Sequence, residues 1–257
     1  SDRPEINLFL QWAKEGHSVT ICVPDTEYAQ IYQSSGIKLL NIEITGKVSL
    51  RAIQIARTEL KNNLYDIVYA SGSRTIPIAA FALLGIAYTK LVCYRGTTSG
   101  LYRHDPMSYL TVLHPRVNAV VCVSKAVKKI VDQRLIKNSV QTITIYKGHS
   151  LDWYDETAAD LSKFNIPNSA FVVTTAATFR PKKGLDVLLK AASLLADLAH
   201  LHFLVVGSGT DKAAYTHLIE QSGMAQRIHC VGHQDQATRL IAASNLYTQC
   251  SIKGEGL

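Results

Sequence analysis

The sequence predicts an α/β protein made of two Rossmann-like domains, each built on a parallel sheet. Short apolar segments alternate almost throughout the chain with segments whose apolar residues recur at helical spacing. This alternation is the pattern of a parallel sheet covered by helices. It stops once, over residues 147–168, and then resumes. A chain of 257 residues with 47% hydrophobic residues has enough apolar material for two such cores.

The first predicted domain spans residues 1–165. We predict its strands over residues 17–23, 38–42, 66–70, 90–94, 119–123 and 142–146. We predict its helices over residues 5–15, 26–34, 49–62, 76–84 and 125–136. Ser124 directly precedes the last of these helices, and its hydroxyl is of the type that caps a helix N-terminus.

The second predicted domain spans residues 166–257, after a polar crossover segment at 147–168. Its predicted strands are residues 171–177, 201–207, 228–232 and 245–250, and its predicted helices are residues 184–196, 211–222 and 236–243. The chain opens inside a helix with no strand before it and stops directly after a strand. We therefore expect a fragment of a longer protein in which both domains are incomplete.

Composition excludes several protein classes. The longest apolar stretch, residues 76–88, is interrupted by a proline and is shorter than the ~20 residues that a transmembrane helix needs. The N-terminus has no charged-then-apolar signal pattern, so we expect a soluble, cytoplasmic protein. The five cysteines form no C-x-x-C pair and no cluster with histidines. This pattern indicates reduced thiols buried in strands and predicts no metal site.

The positive charge is concentrated in residues 90–150, which contain ten basic and two acidic side chains. Such a field attracts anions. Within it, Lys125, Lys128 and Lys129 lie on overlapping turns of the helix predicted at 125–136. Two interpretations stay open: a solvated helix that packs its apolar face on the sheet, or a helix that docks on an anionic membrane or a phosphorylated acceptor. Nucleic acid is not an expected partner, because aromatic residues are sparse here and no known binding motif occurs.

A basic loop joins the strand predicted at 171–177 to the next helix. Arg180, Lys182 and Lys183 lie in this loop, and Gly184 opens the helix. Open α/β sheets bind ligands at the carboxyl ends of their strands, and a helix N-terminus attracts anions. Arginine and lysine there would suit a diphosphate. A solvated turn is the alternative.

Two further loops follow later strands of the same domain. Gly207 and Gly209 form a G-x-G turn, but Lys212 stands where the dinucleotide-binding fingerprint has its third glycine. A plain tight turn is therefore the alternative. Glu255 lies between two glycines after the last strand, where its carboxylate could accept hydrogen bonds from sugar hydroxyls. An exposed loop glutamate is the alternative there.

The order of these motifs resembles that of the family-4 glycosyltransferases of the GT-B fold, the "glycosyl transferases group 1" type. The resemblance covers essentially the whole chain. In the first half it is carried by GHSVTICV, VCVSKAVKKIV and TIYKGHS. In the second half it is carried by R-x-x-K-G before an LL-x-A helix, then VVGSG, IHCVG and S-x-x-x-E-G; the residues of the first and last motifs are Arg180, Lys183, Gly184, Ser251, Glu255 and Gly256.

The resemblance implies a retaining transfer of a sugar from a UDP- or GDP-sugar donor to a saccharide or lipid-linked acceptor, as in polysaccharide or lipopolysaccharide biosynthesis. It implies that the donor binds the second domain, where Arg180 and Lys183 hold the diphosphate and Glu255 contacts the sugar. It implies no metal and no other cofactor, and no D-x-D motif occurs in the sequence. The glycines that it assigns to the donor-binding loops are Gly184, Gly207, Gly209 and Gly256.

The sequence departs from the family pattern in the first domain, where the resemblance places the acceptor. Arg95 stands where a histidine is common, and an arginine cannot act as a general base because it stays protonated. We expect Arg95 to clamp an anionic group on the acceptor side, together with Lys125, Lys128 and Lys129. Lys147 replaces a frequent asparagine near the crossover.

Three functions therefore follow from the sequence. We expect a glycosyltransferase at the inner face of the membrane, inactive as this fragment. The alternatives are a nucleotide-sugar epimerase of the same fold and a non-enzymatic basic α/β module that binds anionic membranes.

Overall fold

The computed structural model describes residues 3–23, 29–46, 48–136, 139–154, 157–210 and 212–256. The chain divides into two compact units, one formed by Ser1–His149 with Glu255–Leu257 and the other by Ser150–Gly254. Both units consist of parallel strands connected largely by helices. The α/β class and the two Rossmann-like domains predicted from the sequence are confirmed.

The first unit contains a pair of parallel strands and a separate four-stranded parallel sheet in chain order. The pair is β1 (Thr20–Val23) and β2 (Lys38–Asn41); the larger sheet is β3 (Ile67–Ala70), β4 (Lys90–Arg95), β5 (Ala119–Cys122) and β6 (Gln141–Thr144). The helices are α1 (Arg3–Lys14), α2 (Ala29–Ser34), α3 (Leu50–Asn62), α4 (Thr75–Ala82) and α5 (Lys125–Arg134). These elements match the predicted ones within a few residues; residues 26–28 of the second predicted helix lie outside the described residues. The connection between β4 and β5 contains a short 3-10 helix, Pro106–Leu110, that the sequence analysis did not predict.

The core of the first unit lies on one face of the larger sheet, where Leu91, Cys93, Val120 and Cys122 are fully buried. Burial raises the pKa of the Cys93 thiol to about 12 and that of Cys122 to about 11. These two cysteines are buried in strands, as predicted. The side chains of two others, at positions 22 and 230, are exposed.

The apolar helix α4 packs in this core, and an arginine holds the turn that follows it. The Arg116 guanidinium donates hydrogen bonds to the carbonyl oxygens of Leu83 (3.3 Å), Ile86 (2.7 Å) and Thr89 (2.6 Å), and to Oδ1 of Asn118 (2.8 Å). Carbonyl groups at a helix C-terminus have no partner within the helix. Arg116 therefore ties the end of α4 to the strands beside it.

The second unit is a four-stranded parallel sheet in the order β10-β7-β8-β9. Its elements are β7 (Phe171–Ala176), α6 (Leu185–Ser193), β8 (Leu201–Val206), α7 (Ala213–Gln221), β9 (Ile228–Gly232), α8 (Ala237–Ala242) and β10 (Leu246–Tyr247). All residues of β8 are buried, which explains why this inner strand is a continuous apolar run in the sequence. The four predicted strands and three predicted helices are present, although the strand predicted at 245–250 is limited to Leu246–Tyr247. Residue 211 of the helix predicted at 211–222 lies outside the described residues.

The division between the units lies earlier in the chain than the predicted boundary after residue 165. Leu161 and Phe164 pack against a cluster that includes Ile166, Val172 and Leu204. Residues 150–168 of the crossover segment are thus grouped with the second unit, whereas residues 147–149 belong to the first. The structure also groups Glu255 and Gly256 with the first unit, whereas the sequence analysis assigns them to the second domain.

A pair of histidines connects β8 and β9 inside the second unit. Nδ1 of His202 lies 3.0 Å from Nε2 of His229, and the two rings are stacked. Burial lowers the pKa of both imidazoles, and the nearby charge of Arg227 lowers that of His202 further. A hydrogen bond with the backbone of Phe164 opposes this shift at His229.

Candidate functional site

The loops at the carboxyl edge of the second sheet are hydrogen-bonded to one another. The loop after β7 bonds to the loop after β8 through the Phe179 amide and the Ser208 carbonyl, 2.8 Å apart. It also bonds to the segment after β10 through the Ile252 amide and the Lys182 carbonyl, 3.0 Å apart. This edge is where open parallel sheets bind ligands.

The predicted basic loop leads directly into the N-terminus of α6. Residues Pro181–Lys183 form a 3-10 turn in which the Lys183 amide donates to the Arg180 carbonyl over 2.8 Å. Gly184 is the N-cap residue of α6, so no side chain caps the first N–H groups of this helix. Arg180 is exposed and Lys183 is half-buried. The structure therefore places both cationic groups on the same loop as an N-terminus that attracts anions.

Phe179 anchors this loop, and sequence reasoning missed it. Its side chain is 3% exposed and packs in a cluster with Leu185 and Leu188 of α6. Because Arg180 follows directly, the buried ring limits where the backbone of Arg180 can lie. An aromatic residue within an otherwise polar loop was the signal that could have identified it.

The glycines predicted to bind the donor are packed tightly against neighbouring backbone. A Cβ atom on Gly184 would lie 2.0 Å from the carbonyl oxygen of Cys250, and one on Gly207 would lie 1.8 Å from that of Ala177. Gly209 similarly faces the Phe179 carbonyl at 2.5 Å. Loop packing alone thus requires glycine at these positions, and their contact with a donor stays a prediction.

Arg95 closes its own loop in the first unit. Its Nε donates to the Thr97 carbonyl over 2.9 Å and its Nη2 donates to the Ser99 carbonyl. Burial lowers the pKa of this guanidinium. Two of its N–H donors are thus used within residues 95–99, and the predicted anion clamp stays a prediction.

The lysines of α5 lie beside buried Val127 and Val131, which form the apolar side of the helix. Lys125 and Lys129 are exposed, whereas Lys128 pairs with Asp132 over 2.6 Å. This packing fits the interpretation of a solvated amphipathic helix, and docking on an anionic surface stays a prediction.

The backbone of Glu255 and Gly256 lies against the loops after β4 and β5 of the first unit. The Thr98 hydroxyl donates to the Glu255 carbonyl over 3.2 Å, and the Ser124 hydroxyl donates to the Gly256 carbonyl. A Cβ atom on Gly256 would lie 2.1 Å from the Gly96 carbonyl oxygen. Nothing in the sequence indicates these contacts.

The described residues contain neither a metal-binding cluster nor a membrane-spanning helix. Among those residues, no group of three or more histidine, cysteine, aspartate or glutamate side chains is arranged to hold a metal ion. In the same part of the chain, no helix has both the length and the apolar character needed to cross a membrane.

Two family models match the chain, and together they cover most of it. The model described as "Glycosyltransferase Family 4" matches residues 6–153, and the model described as "Glycosyl transferases group 1" matches residues 157–257. The sequence matches no curated protein.

Several solved structures resemble the whole chain at low sequence identity. HepE of Anabaena, crystallised with UDP and glucose, is 18% identical with a TM-score of 0.73, and the match covers 99% of this chain and 72% of that one. Sucrose-phosphate synthase of Thermosynechococcus elongatus is 14% identical with a TM-score of 0.70, covering 98% and 69%. The lipopolysaccharide outer core galactosyltransferase WaaB is 14% identical with a TM-score of 0.63, covering 97% and 70%. At these identities the likeness establishes a shared fold.

Proposed function

The chain belongs to Glycosyltransferase Family 4, and we propose that it transfers a sugar with retention from a UDP- or GDP-sugar to a saccharide or lipid-linked acceptor. The observation that carries this proposal is the loop of Arg180 and Lys183, which leads into the α6 N-terminus without a side-chain cap. The structural neighbours support the donor class, because HepE was crystallised with UDP and glucose.

The proposed chemistry depends on the charge of the leaving nucleoside diphosphate. When the bond between sugar and phosphate breaks, negative charge grows on the phosphate oxygens. Arg180 can donate two parallel hydrogen bonds to such a group, and Lys183 adds a compact positive charge. The first N–H groups of α6, which the N-cap residue Gly184 does not cap with a side chain, lie at the positive end of the helix dipole. These fixed donors would stabilise the charge that develops in the transition state.

The acceptor is proposed to bind the first unit, where Arg95 and the α5 lysines carry positive charge. A phosphorylated or lipid-linked saccharide at the inner face of the membrane suits this charge. The neighbour WaaB is named as a lipopolysaccharide galactosyltransferase, which supports a role in surface polysaccharide or lipopolysaccharide synthesis. No metal or other cofactor is proposed for the reaction.

Donor binding tests the proposal directly. We expect UDP or GDP to bind the chain, as measured by isothermal titration calorimetry. A hydrogen bond to a charged group contributes ~1.5–3 kcal/mol, so Arg180→Ala and Lys183→Ala should each weaken binding roughly tenfold or more. Lys182→Ala is the matched control, because this lysine lies in the same turn but outside the R-x-x-K-G motif.

The outcomes separate the candidate functions. If all three substitutions weaken nucleotide binding equally, the loop is only a general basic surface. If none of them weakens nucleotide binding, the proposed diphosphate site is rejected. Turnover of the donor without an acceptor would indicate an epimerase. Salt-sensitive liposome binding that is lost with Lys125, Lys128 and Lys129, in a chain that binds no nucleotide, would indicate a membrane-binding module.

A further inference from the structure

α6 is apolar on two sides. Its inner side packs in the core of the second unit through four buried residues: Leu185, Leu188, Leu189 and Ala192. A helix at a protein surface normally has a polar outer side. Here the outer side, continued by the turns that follow the helix, is formed by four exposed apolar residues: Val187, Ala191, Leu194 and Leu198. We call these four residues the outer stripe.

The helical winding continues beyond the end of α6. The Leu194 amide donates to the Ala191 carbonyl over 3.2 Å, and the Leu198 amide donates to the Leu195 carbonyl over 3.0 Å. Leu194 is 84% exposed. Single exposed apolar side chains are common on protein surfaces. Apolar side chains on successive turns form a contiguous apolar surface instead, and such a surface marks a site of association.

The spacing of the outer stripe is that of two paired helices. Steps of four, three and four residues separate its members, as they separate the core positions of a coiled coil. Two opposite charges, Lys190 and Asp197, lie seven residues apart and therefore on the same flank of the stripe. Both side chains are exposed, and neither forms an ion pair with another of the residues that the structure describes.

This charge pattern favours one way of pairing. When two identical helices pack antiparallel, each flank meets the same flank of its partner, whereas in a parallel pair it meets the opposite flank. Antiparallel packing of two copies therefore sets Lys190 against the partner's Asp197, and Asp197 against the partner's Lys190. Parallel packing would set both charges against the flank of Leu195, which carries no charge.

We propose that the outer stripe is the contact surface between two copies of this chain, whose α6 helices pack antiparallel about a two-fold axis. Leu194 of each copy then lies against the partner's Ala191, whose small side chain allows the helices to approach closely. Such a two-fold interface is self-complementary. One helix pair covers less than the ~1,200–2,000 Å² of stable interfaces, so we expect a reversible dimer with a Kd between about 1 µM and 1 mM.

Sedimentation velocity of the whole chain, without nucleotide and over a range of protein concentrations, measures this Kd. Leu194→Lys should raise it roughly tenfold or more, because both copies lose the burial of a leucine. A lysine at the C-terminus of a helix suits the helix dipole, so we expect the variant to fold. Leu64→Lys is the matched control and should keep the wild-type Kd, because Leu64 is 86% exposed but lies after the C-cap of α3, outside the stripe.

Charge reversal tests the antiparallel arrangement. Lys190→Asp and Asp197→Lys each replace two attractive contacts of the dimer by two repulsive ones, so each variant alone should have a Kd roughly tenfold higher at low salt. In an equimolar mixture, one chain carries two acidic residues at these positions and the other carries two basic residues. Every contact between the unlike chains again joins opposite charges, so the mixture should associate with a Kd within about twofold of the wild type.

Recovery in the mixture, together with the loss in Leu194→Lys, would support the proposed dimer. A wild-type chain that stays monomeric at about 1 mM, or a dimer that Leu194→Lys leaves intact, would overturn the outer stripe as its contact surface. A mixture that associates no better than its two components would overturn the antiparallel arrangement.

Lipid is the other occupant that an apolar stripe could take. If the chain is monomeric and binds phosphatidylcholine liposomes, and Leu194→Lys abolishes this binding, lipid covers the stripe and the dimer is overturned. The measurements contain no nucleotide, so a failure of the proposed donor site leaves their outcome unchanged.

Discussion

Gly184→Ala should damage both stability and nucleotide binding, because Gly184 is confined in two independent ways. Its φ of +67° lies in the left-handed region, and the Cys250 carbonyl oxygen occupies the space that a side chain would fill. The same residue opens α6 and follows Lys183. A shift at this point therefore moves the groups proposed to hold the diphosphate.

The magnitude follows from comparison with a second glycine. Gly223 has a φ of +69°, but the nearest atom to a Cβ there is 3.7 Å away, which is an ordinary contact. The left-handed conformation costs an alanine ~1–2 kcal/mol at either position. At Gly184 an added Cβ would lie 2.0 Å from the Cys250 carbonyl oxygen, so one backbone segment must also move. We expect this movement to cost the hydrogen bond between the Ile252 amide and the Lys182 carbonyl, which contributes about 0.5–1.5 kcal/mol.

Urea unfolding of the two variants measures this difference. Gly223→Ala should lower the free energy of unfolding by ~1–2 kcal/mol and leave UDP affinity unchanged. Gly184→Ala should lower it by a further ~1 kcal/mol and weaken UDP binding. Any gain from restricting the unfolded chain is common to both substitutions and cancels in the comparison. Equal losses of stability with unchanged UDP affinity would refute the packing argument at Gly184.

Two other predictions concern stability alone. Burial lowers the pKa values of His202 and His229 below the ordinary value of 6.5. As the pH falls through this range, these histidines take up protons more readily in the unfolded chain than in the folded one. The free energy of unfolding should therefore fall between pH 7 and pH 5. A double variant, His202→Phe with His229→Leu, should lose this part of the slope in urea titrations; an identical slope would contradict the assignment. Arg116→Lys should lower the free energy of unfolding by ~2–4 kcal/mol, because a lysine cannot reproduce the forked hydrogen bonds to three carbonyls. The control Arg51→Lys, on the exposed side of α3, should lower it by less than about 0.5 kcal/mol. Thermal melts of both variants measure the difference.

The order and type of the regular elements could be predicted because each depends on local pattern. Buried strands such as β8 are continuous apolar runs, and α6 has apolar residues at helical spacing. The Ser124 cap of α5 could be predicted for the same reason, since it depends on residues 124–127 alone. Arg180, Lys183, Gly184, Gly207 and Gly209 lie in loops that follow β7 and β8, as their positions after apolar runs indicate, because parallel strands bring their carboxyl ends to one edge. Their contact with a donor stays a prediction.

Contacts between residues distant in sequence could not be predicted. Nothing near Ser124 in the sequence indicates that its hydroxyl reaches the carbonyl of Gly256, 132 residues away. The earlier division between the units has the same origin, because it depends on where Leu161 and Phe164 pack. A glycine is also ambiguous in sequence, since packing and ligand approach both require it.

The solvated-turn alternative for Arg180 and Lys183 can be judged from the electrostatics of α6. A helix N-terminus carries partial positive charge, so cations beside it lower stability and anions raise it. The 180–184 loop places its cations at this unfavourable end, an arrangement that a bound diphosphate would reverse. Arg180→Ala should therefore leave the nucleotide-free chain at least as stable as the wild type, although it weakens UDP binding. Thermal melts with and without UDP test both statements. A loss of stability in the nucleotide-free variant would instead show that the Arg180 side chain supports the loop itself.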